Sequence, residues 1–413
     1  MSMSPGSRDL VERDSEIATI ETVLARSAVT GERIVVSGRP GMGRSALLMV
    51  ARDYALANGW NVLTATSSES TSHVPYSLLT ELLSPLLAPI VSAESVLAGP
   101  STMLRQLASF GPDGDELSPA SVAYAVRAAL LGLADTTPTA IVMDDHQWAD
   151  SESLEVLGML LNPLADRHIA VVLTVREPWQ LHPVLAEFLV SPLTLIVRPA
   201  PLSVDGIRTM SPDADSILER TGGVPLYVAA AVDGSSVAGT RVAAAIRQRL
   251  LGTGPWAARV AVATAICVGP VSRQLLRGIT GATSGEIDEA LGELVDEDIV
   301  TVSEGVVAIR YPMVAELLPG LCSIAELSDL SDAVLEAERR AALRAVNPLV
   351  GAPLTEAELR VSELAASGRS NTEIAEELFV TRKTAEFHLR RSFRKLDISS
   401  RAMLPTVLKS QAP

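Results

Sequence analysis

Two cysteines, Cys267 and Cys322, in 413 residues are too few for a disulfide scaffold or a zinc site built on thiolates. No apolar run approaches the ~20 residues that cross a bilayer, so no membrane partner is expected. The opening stretch MSMSPGSRDLVERD lacks the basic-then-apolar order of a secretory signal, and a cytoplasmic protein is expected. Positive charge is also short: 34 Lys and Arg stand against 49 Asp and Glu, a net of −15. That balance is poor for a chain that grips nucleic acid along its whole length. The deficit is uneven, however. From Pro353 onward ten basic residues meet eight acids, leaving 24 and 41 for the rest. An acidic body repels phosphate and leaves any DNA contact to the C-terminal segment. The same acidity keeps an aromatic-poor chain soluble. Residues that are 47% hydrophobic supply several cores, and the length suggests two to four domains.

The C-terminal segment reads LTEAELRVSELAASGRSNTEIAEELFVTRKTAEFHLRRSFRKLDISSRAML from Leu354 to Leu404. Thr355 with Glu358, and Ser370 with Glu373, are capping boxes that begin two helices, and Gly368 supplies the left-handed stop between them. Thr381 caps a third helix, whose Ala385, Leu389, Phe393 and Leu396 recur at helical spacing. The same helix carries Arg382, Lys383, Arg390, Arg391, Arg394 and Lys395 against the single acid Glu386. A scaffold helix, a tight turn and a basic amphipathic helix make a helix-turn-helix that enters the DNA major groove. The same pattern also fits a small helical bundle with a solvated basic face.

The residues LTEAEL, SNTEIAEELFVTRKTAEFHL, RKL and SSRA resemble the LuxR-type DNA-binding domain almost without gaps. That resemblance implies a four-helix fold, dimeric binding to double-stranded DNA, and a recognition helix from about Thr381 to Lys395. On this reading Arg382, Lys383, Glu386 and Phe387 face the groove, with Thr381, Thr384 and His388 beside them. Arg390, Arg391, Arg394, Lys395 and Asn371 position phosphate. Ala385 and Ser392 depart from the family, which carries larger aliphatic residues there, so a thinner core is expected under this helix.

The N-terminal half has a different chemistry. Arg33–Ser37 is a buried-strand pattern running into Gly38-Arg39-Pro40-Gly41-Met42-Gly43-Arg44-Ser45 and then an apolar helix to about Asn58. Strand, glycine loop and helix in that order are what a P-loop requires: backbone N–H groups cradle phosphate and Ser45 offers a hydroxyl to Mg²⁺. Arg44 stands where the pattern has lysine. A longer planar cation either holds a nucleotide in a shifted pose or crowds the loop. A second strand ends in Asp144-Asp145, followed by His146-Gln147-Trp148-Ala149-Asp150. Asp144 is expected in the metal shell and Asp145 as activator of the attacking water. Asp150 is expected to cap the helix that follows, and His146 has no second His or Cys at ligand spacing. A third strand, Ile169–Arg176, brings Thr174 and Arg176 toward a γ-phosphate.

Together with Leu10–Asp14 and Thr221–Leu226, these segments resemble the ATP-binding domain of the large ATP-dependent LuxR regulators, in the signalling (STAND) branch of the AAA-like NTPases. The resemblance implies ATP or ADP with Mg²⁺, a parallel sheet of about five strands, and Pro225 against the adenine. Glycine followed by proline at 222–225 reads equally as a plain helix stop. Glu12 stands where the family has glycine. Residues 241–318 resemble the winged helix of the same regulators, with Tyr311 replacing a histidine. Its acidic face from Glu286 to Glu304 favours packing on the nucleotide site over DNA. The long helical repeats of the family are absent; one helix-like segment, 331–346, and a linker at 347–353 intervene.

The expected architecture is thus multidomain: an α/β P-loop NTPase (AAA/STAND-like) domain at 8–235, a winged-helix-like α/β domain at 236–318, a helical linker at 319–352 and an all-α LuxR-type helix-turn-helix domain at 353–410. The expected function is a transcription regulator that binds DNA as a homodimer and is modulated by ATP or ADP on a degenerate P-loop. At most it is a slow ATPase. Two other readings stay open: a disabled P-loop scaffold under the control of a protein partner or small effector, and a signalling ATPase whose hydrolysis is the output.

Overall fold

The computed structural model describes residues 10–92, 100–108, 117–145, 148–161, 168–177, 186, 189, 191–192, 194–267, 269–346 and 352–410. Its first unit is built on a five-stranded parallel sheet of order β2-β3-β4-β1-β5. The strands are β1 (Arg33–Gly38), β2 (Asn61–Thr66), β3 (Thr139–Asp144), β4 (Ile169–Arg176) and β5 (Thr194–Val197). β1 is buried throughout its length, as is β4 up to Arg176 at its end. This is why both read as continuous aliphatic runs without alternation. Helices α1 (Asp14–Thr30) and α2 (Arg44–Ala57) cover one face through Ile20, Leu24, Leu47 and Ala51. On the other face lie α3 (Ser77–Ser92), α4 (Pro100–Ala108), α5 (Pro119–Ala134) and α6 (Ser151–Leu161).

Register sets the site. Gly38 pairs with Arg176, Ser37 with Val175, and Thr66 with Asp144. The glycine loop, the first of the two carboxylates and Arg176 therefore emerge together at the carboxyl edge of the sheet, where open α/β sheets bind ligands.

Three short helices follow: α7 (Val204–Arg208), α8 (Ala214–Thr221) and α9 (Pro225–Asp233). They close a small core of Leu202, Ile207, Ala214, Ile217 and Val228. Beyond them a second unit comprises α10 (Ser236–Leu251), α11 (Ala257–Ile266), α12 (Arg273–Thr280), α13 (Ser284–Asp296) and α14 (Pro312–Leu317). Its three-stranded antiparallel sheet, of order β6-β8-β7, holds β6 (Val271–Ser272), β7 (Val300–Ser303) and β8 (Val306–Ile309). The hairpin turns through Glu304 and Gly305, both at positive φ, the geometry that a two-residue hairpin loop demands.

Helix α15 (Ile324–Val346) alters the expected boundary. The segment read as a linker from 319 instead packs into the second core through Leu330 and Val334. Hydrophobic spacing in the sequence cannot say which core a helix covers. The expected linker at 347–353 lies largely outside the described residues.

The last unit is all helical: α16 (Glu356–Ala366), α17 (Asn371–Glu377), α18 (Arg382–Leu396) and α19 (Leu404–Ser410). Both capping boxes form, at Thr355/Glu358 and Ser370/Glu373, and Thr381 caps α18 by accepting from the Thr384 N–H. Gly368 takes the left-handed conformation, at φ 95°. Among the described residues no helix is long and apolar enough to cross a membrane.

Candidate functional site

The glycine loop bends inward because Gly41 and Gly43 adopt φ of 81° and 86°, a region where a side chain is strained. A Cβ on Gly41 would lie 3.0 Å from Val224 Cγ1 and 3.2 Å from Leu226 Cβ. The Leu226 N–H also donates to the Gly41 carbonyl at 3.1 Å. The loop is thus clamped against the start of α9, and Pro225 is its first-turn proline.

Two cavities flank this clamp. One, of about 200 Å³, is walled by Leu10, Val11, Met42, Leu202, Pro225 and Val228. It is apolar and of a size that suits a flat base. Glu12, between the lining residues Val11 and Arg13, adopts φ 53°, which explains physically why a glycine is usual there. Its carboxylate accepts the Ser203 N–H at 2.8 Å and the Ser203 hydroxyl, and so holds the start of α7. Those hydrogen bonds pull the Glu12 pKa below the carboxylate norm.

The second cavity, about 460 Å³, lies on the other side of the loop between the two units. Pro40, Gly41, Arg44 and Ser45 line it with Asp145 and Arg176, which were expected there; Glu293 and Glu297 come from the acidic stretch expected to pack on this site, and Arg249 and Tyr227 were not singled out in the sequence. Arg44 points in with its Nη2 4.0 Å from Asp145 Oδ1. Its Nη1 is buried and has no hydrogen-bond partner among the described residues. Burial lowers the Arg44 pKa against the opposing pull of Asp145 and Asp144. Arg249 Nη2 donates to Tyr227 Oη at 2.8 Å and Nη1 to the Glu297 carbonyl at 3.0 Å. Arg176 pairs with the Glu297 carboxylate.

Several expected residues are placed differently. Arg39 leaves the loop to pair with Asp298 Oδ1 at 3.2 Å, half-exposed and outside the cavity lining. A cation on the loop's outer side meets the acid of the neighbouring unit before it meets a ligand. Met42 is buried and walls the base-sized cavity, touching the second core. Asp144 Oδ1 accepts from the Thr174 hydroxyl at 2.6 Å and from the Asp145 N–H at 3.0 Å. Of the two adjacent acids it is Asp145, at φ 49°, that lines the cavity. Asp150 caps two helices at once: Oδ1 accepts from Ser153 N at 2.8 Å and Tyr76 N at 2.7 Å, and Oδ2 from Leu78 N at 3.1 Å. His146 lies outside the described residues. No cluster of three metal-ligating side chains forms among the described residues.

On α18 the exposed face carries Arg382, Lys383, Phe387, Arg390, Arg391 and Arg394. Arg382 Nε pairs with Glu386 one turn on at 2.9 Å, and the Arg391 guanidinium lies 5.7 Å from the centre of the Phe387 ring. Thr381 and Thr384 hydroxyls meet at 2.8 Å, and Asn371 Oδ1 accepts from Arg401 Nη1 at 2.8 Å. His388 is half-buried, with Nδ1 unpartnered among the described residues.

Lys395 corrects the expectation of a phosphate contact. Only 6% exposed, its Nζ lies 2.5 Å from Glu358 Oε2 and donates to the Pro353 carbonyl at 2.9 Å. Lysine three residues past Ser392 falls on the buried side of the helix, where a basic count taken from sequence cannot distinguish it from Arg394. The stripe actually buried is Ala385, Leu389, Ser392 and Lys395, with Phe393 and Leu396 half-buried. Ser392 is not a loose spot: its hydroxyl lies 3.0 Å from the His388 carbonyl and 3.3 Å from that of Glu358. Burial raises the Glu358 pKa, but bonds from Lys395 and Thr355 outweigh it and leave the net value low.

Residues 9–172 match the AAA ATPase domain family, and residues 352–408 match the luxR family of bacterial regulatory proteins. The transcriptional regulatory protein LiaR of Bacillus subtilis is 46% identical over 55 residues, 13% of this chain and 26% of that relative. The match therefore spans about a quarter of its length. Among solved structures, a Walker-type ATPase of Pyrococcus abyssi is 17% identical with a TM-score of 0.47, over 76% of this chain and 97% of that one. A STAND protein with a tetratricopeptide repeat sensor from Pyrococcus horikoshii is 13% identical with a TM-score of 0.34, over 99% and 59%. Overlaps this loose carry no argument about function. Residues 9–172 thus carry an AAA ATPase domain that holds the glycine loop, and residues 352–408 carry a luxR-type DNA-binding domain that holds the basic helix α18.

Proposed function

We propose that this regulator binds an adenine nucleotide in the cleft beside the glycine loop, and that occupancy of the cleft controls presentation of a pair of α18 helices to DNA. The observation that carries the reading is the buried, unpartnered Nη1 of Arg44, a donor lacking an acceptor at a helix N-terminus that favours anions. Arg176 and Arg249 add two cations, and the base-sized cavity opens on the other side of the loop. Ser45 with the β3 carboxylates would hold Mg²⁺, which neutralises phosphate charge when bound. The second unit is acidic and packs on this cleft, so it serves as a winged-helix-like cover rather than a second DNA reader. Nucleotide control of this kind requires unequal affinity for two arrangements of the units.

On DNA, Lys383, Arg382 and Phe387 read the groove and Arg390, Arg391 and Arg394 hold phosphate, each domain of a homodimer taking one half-site. Arg394→Ala then weakens all sequences alike and lowers the salt slope by about one unit. Lys383→Ala changes sequence preference. Uniform losses from both would end this division.

Calorimetric titration of Mg-ATP and Mg-ADP into the wild type, Arg44→Lys and Asp144→Ala tests the nucleotide site. Binding abolished in Asp144→Ala supports it. A second reading rests on Arg44 facing Asp145 across 4.0 Å, which would make the P-loop a self-filled scaffold. No heat in the wild type but binding in Arg44→Lys would establish that reading, with DNA affinity indifferent to nucleotide. A phosphate-release assay bounds any turnover.

A further inference from the structure

The cleft contains an acid that no phosphate-binding motif calls for. Glu297 follows α13 and precedes β7. Its carboxylate pairs with Arg176 at the end of β4, and its carbonyl accepts from Arg249. The next residue, Asp298, holds Arg39 at 3.2 Å, Arg310 at 2.8 Å and the Tyr311 hydroxyl at 3.2 Å. One two-residue turn of the second unit therefore engages both the glycine loop and the strand beside it. Arg176 and Glu297 are both largely buried, so neither charge is left without a partner cheaply. Both line the same cavity as Arg44 and Ser45.

We propose that Glu297 is a specificity-determining residue of the nucleotide site: its carboxylate occupies Arg176 in place of a terminal phosphate, and a triphosphate must displace it where a diphosphate need not. The inference rests on the nucleotide-binding reading above. A diphosphate is satisfied by the glycine loop and Arg44 and leaves the turn seated. A third phosphate would compete with Glu297 for the Arg176 guanidinium, which stands in register with Gly38 at the start of the glycine loop. Asp298 keeps its own partners throughout, so displacement loosens the turn without detaching the second unit.

Mg-ATP and Mg-ADP are titrated into the full chain as wild type, Glu297→Gln, Arg176→Ala and the double variant. Glu297→Gln should raise ATP affinity about tenfold and leave ADP affinity within twofold. In the Arg176→Ala background the same change should have no effect on the ratio. Glu297→Asp keeps the charge with a shorter reach; it should give an intermediate ratio, and it stands in if the glutamine variant does not fold. Amide exchange of residues 297–303 should rise with Mg-ATP and not with Mg-ADP in the wild type. An unchanged ATP/ADP ratio in Glu297→Gln and Glu297→Asp, with both nucleotides bound, overturns this inference and leaves the nucleotide site standing. Absence of binding in every variant overturns both.

Discussion

Replacing Lys395 by methionine isolates the buried charge pair that the helix-turn-helix is built around. Methionine keeps the unbranched stem and volume, so the packing loss is small. What changes is Glu358, 2% exposed, which loses the ammonium 2.5 Å from Oε2. Breaking a buried pair from one side costs about 3–5 kcal/mol when nothing else stabilises the remaining charge. Glu358 retains the Thr355 N–H at 2.8 Å and Arg391 Nε at 3.3 Å from Oε1. These reduce the expected loss to about 2–3 kcal/mol. Amide exchange of the 382–396 segment in the full chain reads it as a roughly 30- to 150-fold acceleration, at tenfold per 1.4 kcal/mol. DNA affinity falls through the helix's own stability, so the salt slope stays that of the wild type. An exchange rate within threefold of wild type, or a slope reduced by about one as for a phosphate contact, would refute the assignment of Lys395 to the core.

Glu358, with its pKa held low, contributes stability that is complete above the ordinary value of 4.5 and lost as pH falls through the depressed one. Acid loosening of α18, followed by amide NMR, should therefore begin below pH 4.5 and move upward in Lys395→Met. Asp150→Ala orphans buried N–H groups at the starts of α3 and α6 together, and should lower the urea-derived stability of the first unit by about 3 kcal/mol. Asp150→Asn should cost less. Gly41→Ala places a Cβ at a left-handed position 3.0 Å from Val224 and should cost about 1–2 kcal/mol. It should also weaken nucleotide binding in calorimetry at least tenfold. The three lysines, Lys383, Lys395 and Lys409, all fall in the C-terminal segment. In amine acetylation Lys383 should react freely and be protected by DNA, and Lys395 should stay unreactive with or without it.

Much of this was legible because local signals decide local structure. Capping boxes at Thr355 and Ser370 and the left-handed Gly368 are written in adjacent residues, and each formed where its chemistry placed it. The strand–loop–helix at 33–57 and the strand ending in Asp144 were equally plain, because buried parallel strands leave unbroken aliphatic runs. The sequence alone determined, in this way, the capped helices of the C-terminal segment, the strands that carry the nucleotide motifs, where the glycine loop lies and which helix carries the basic face. It was silent on partners that meet only through the fold. Arg39 with Asp298, Arg176 with Glu297 and Lys395 with Glu358 are separated by tens to hundreds of positions. Whether a charged side chain faces solvent, a ligand or a buried counter-charge depends on which surface lies against it. Only the tertiary structure decided that Lys395 is core, that α15 completes the second unit, and that within the acidic stretch of that unit Glu297 is the residue paired with Arg176 in the cleft.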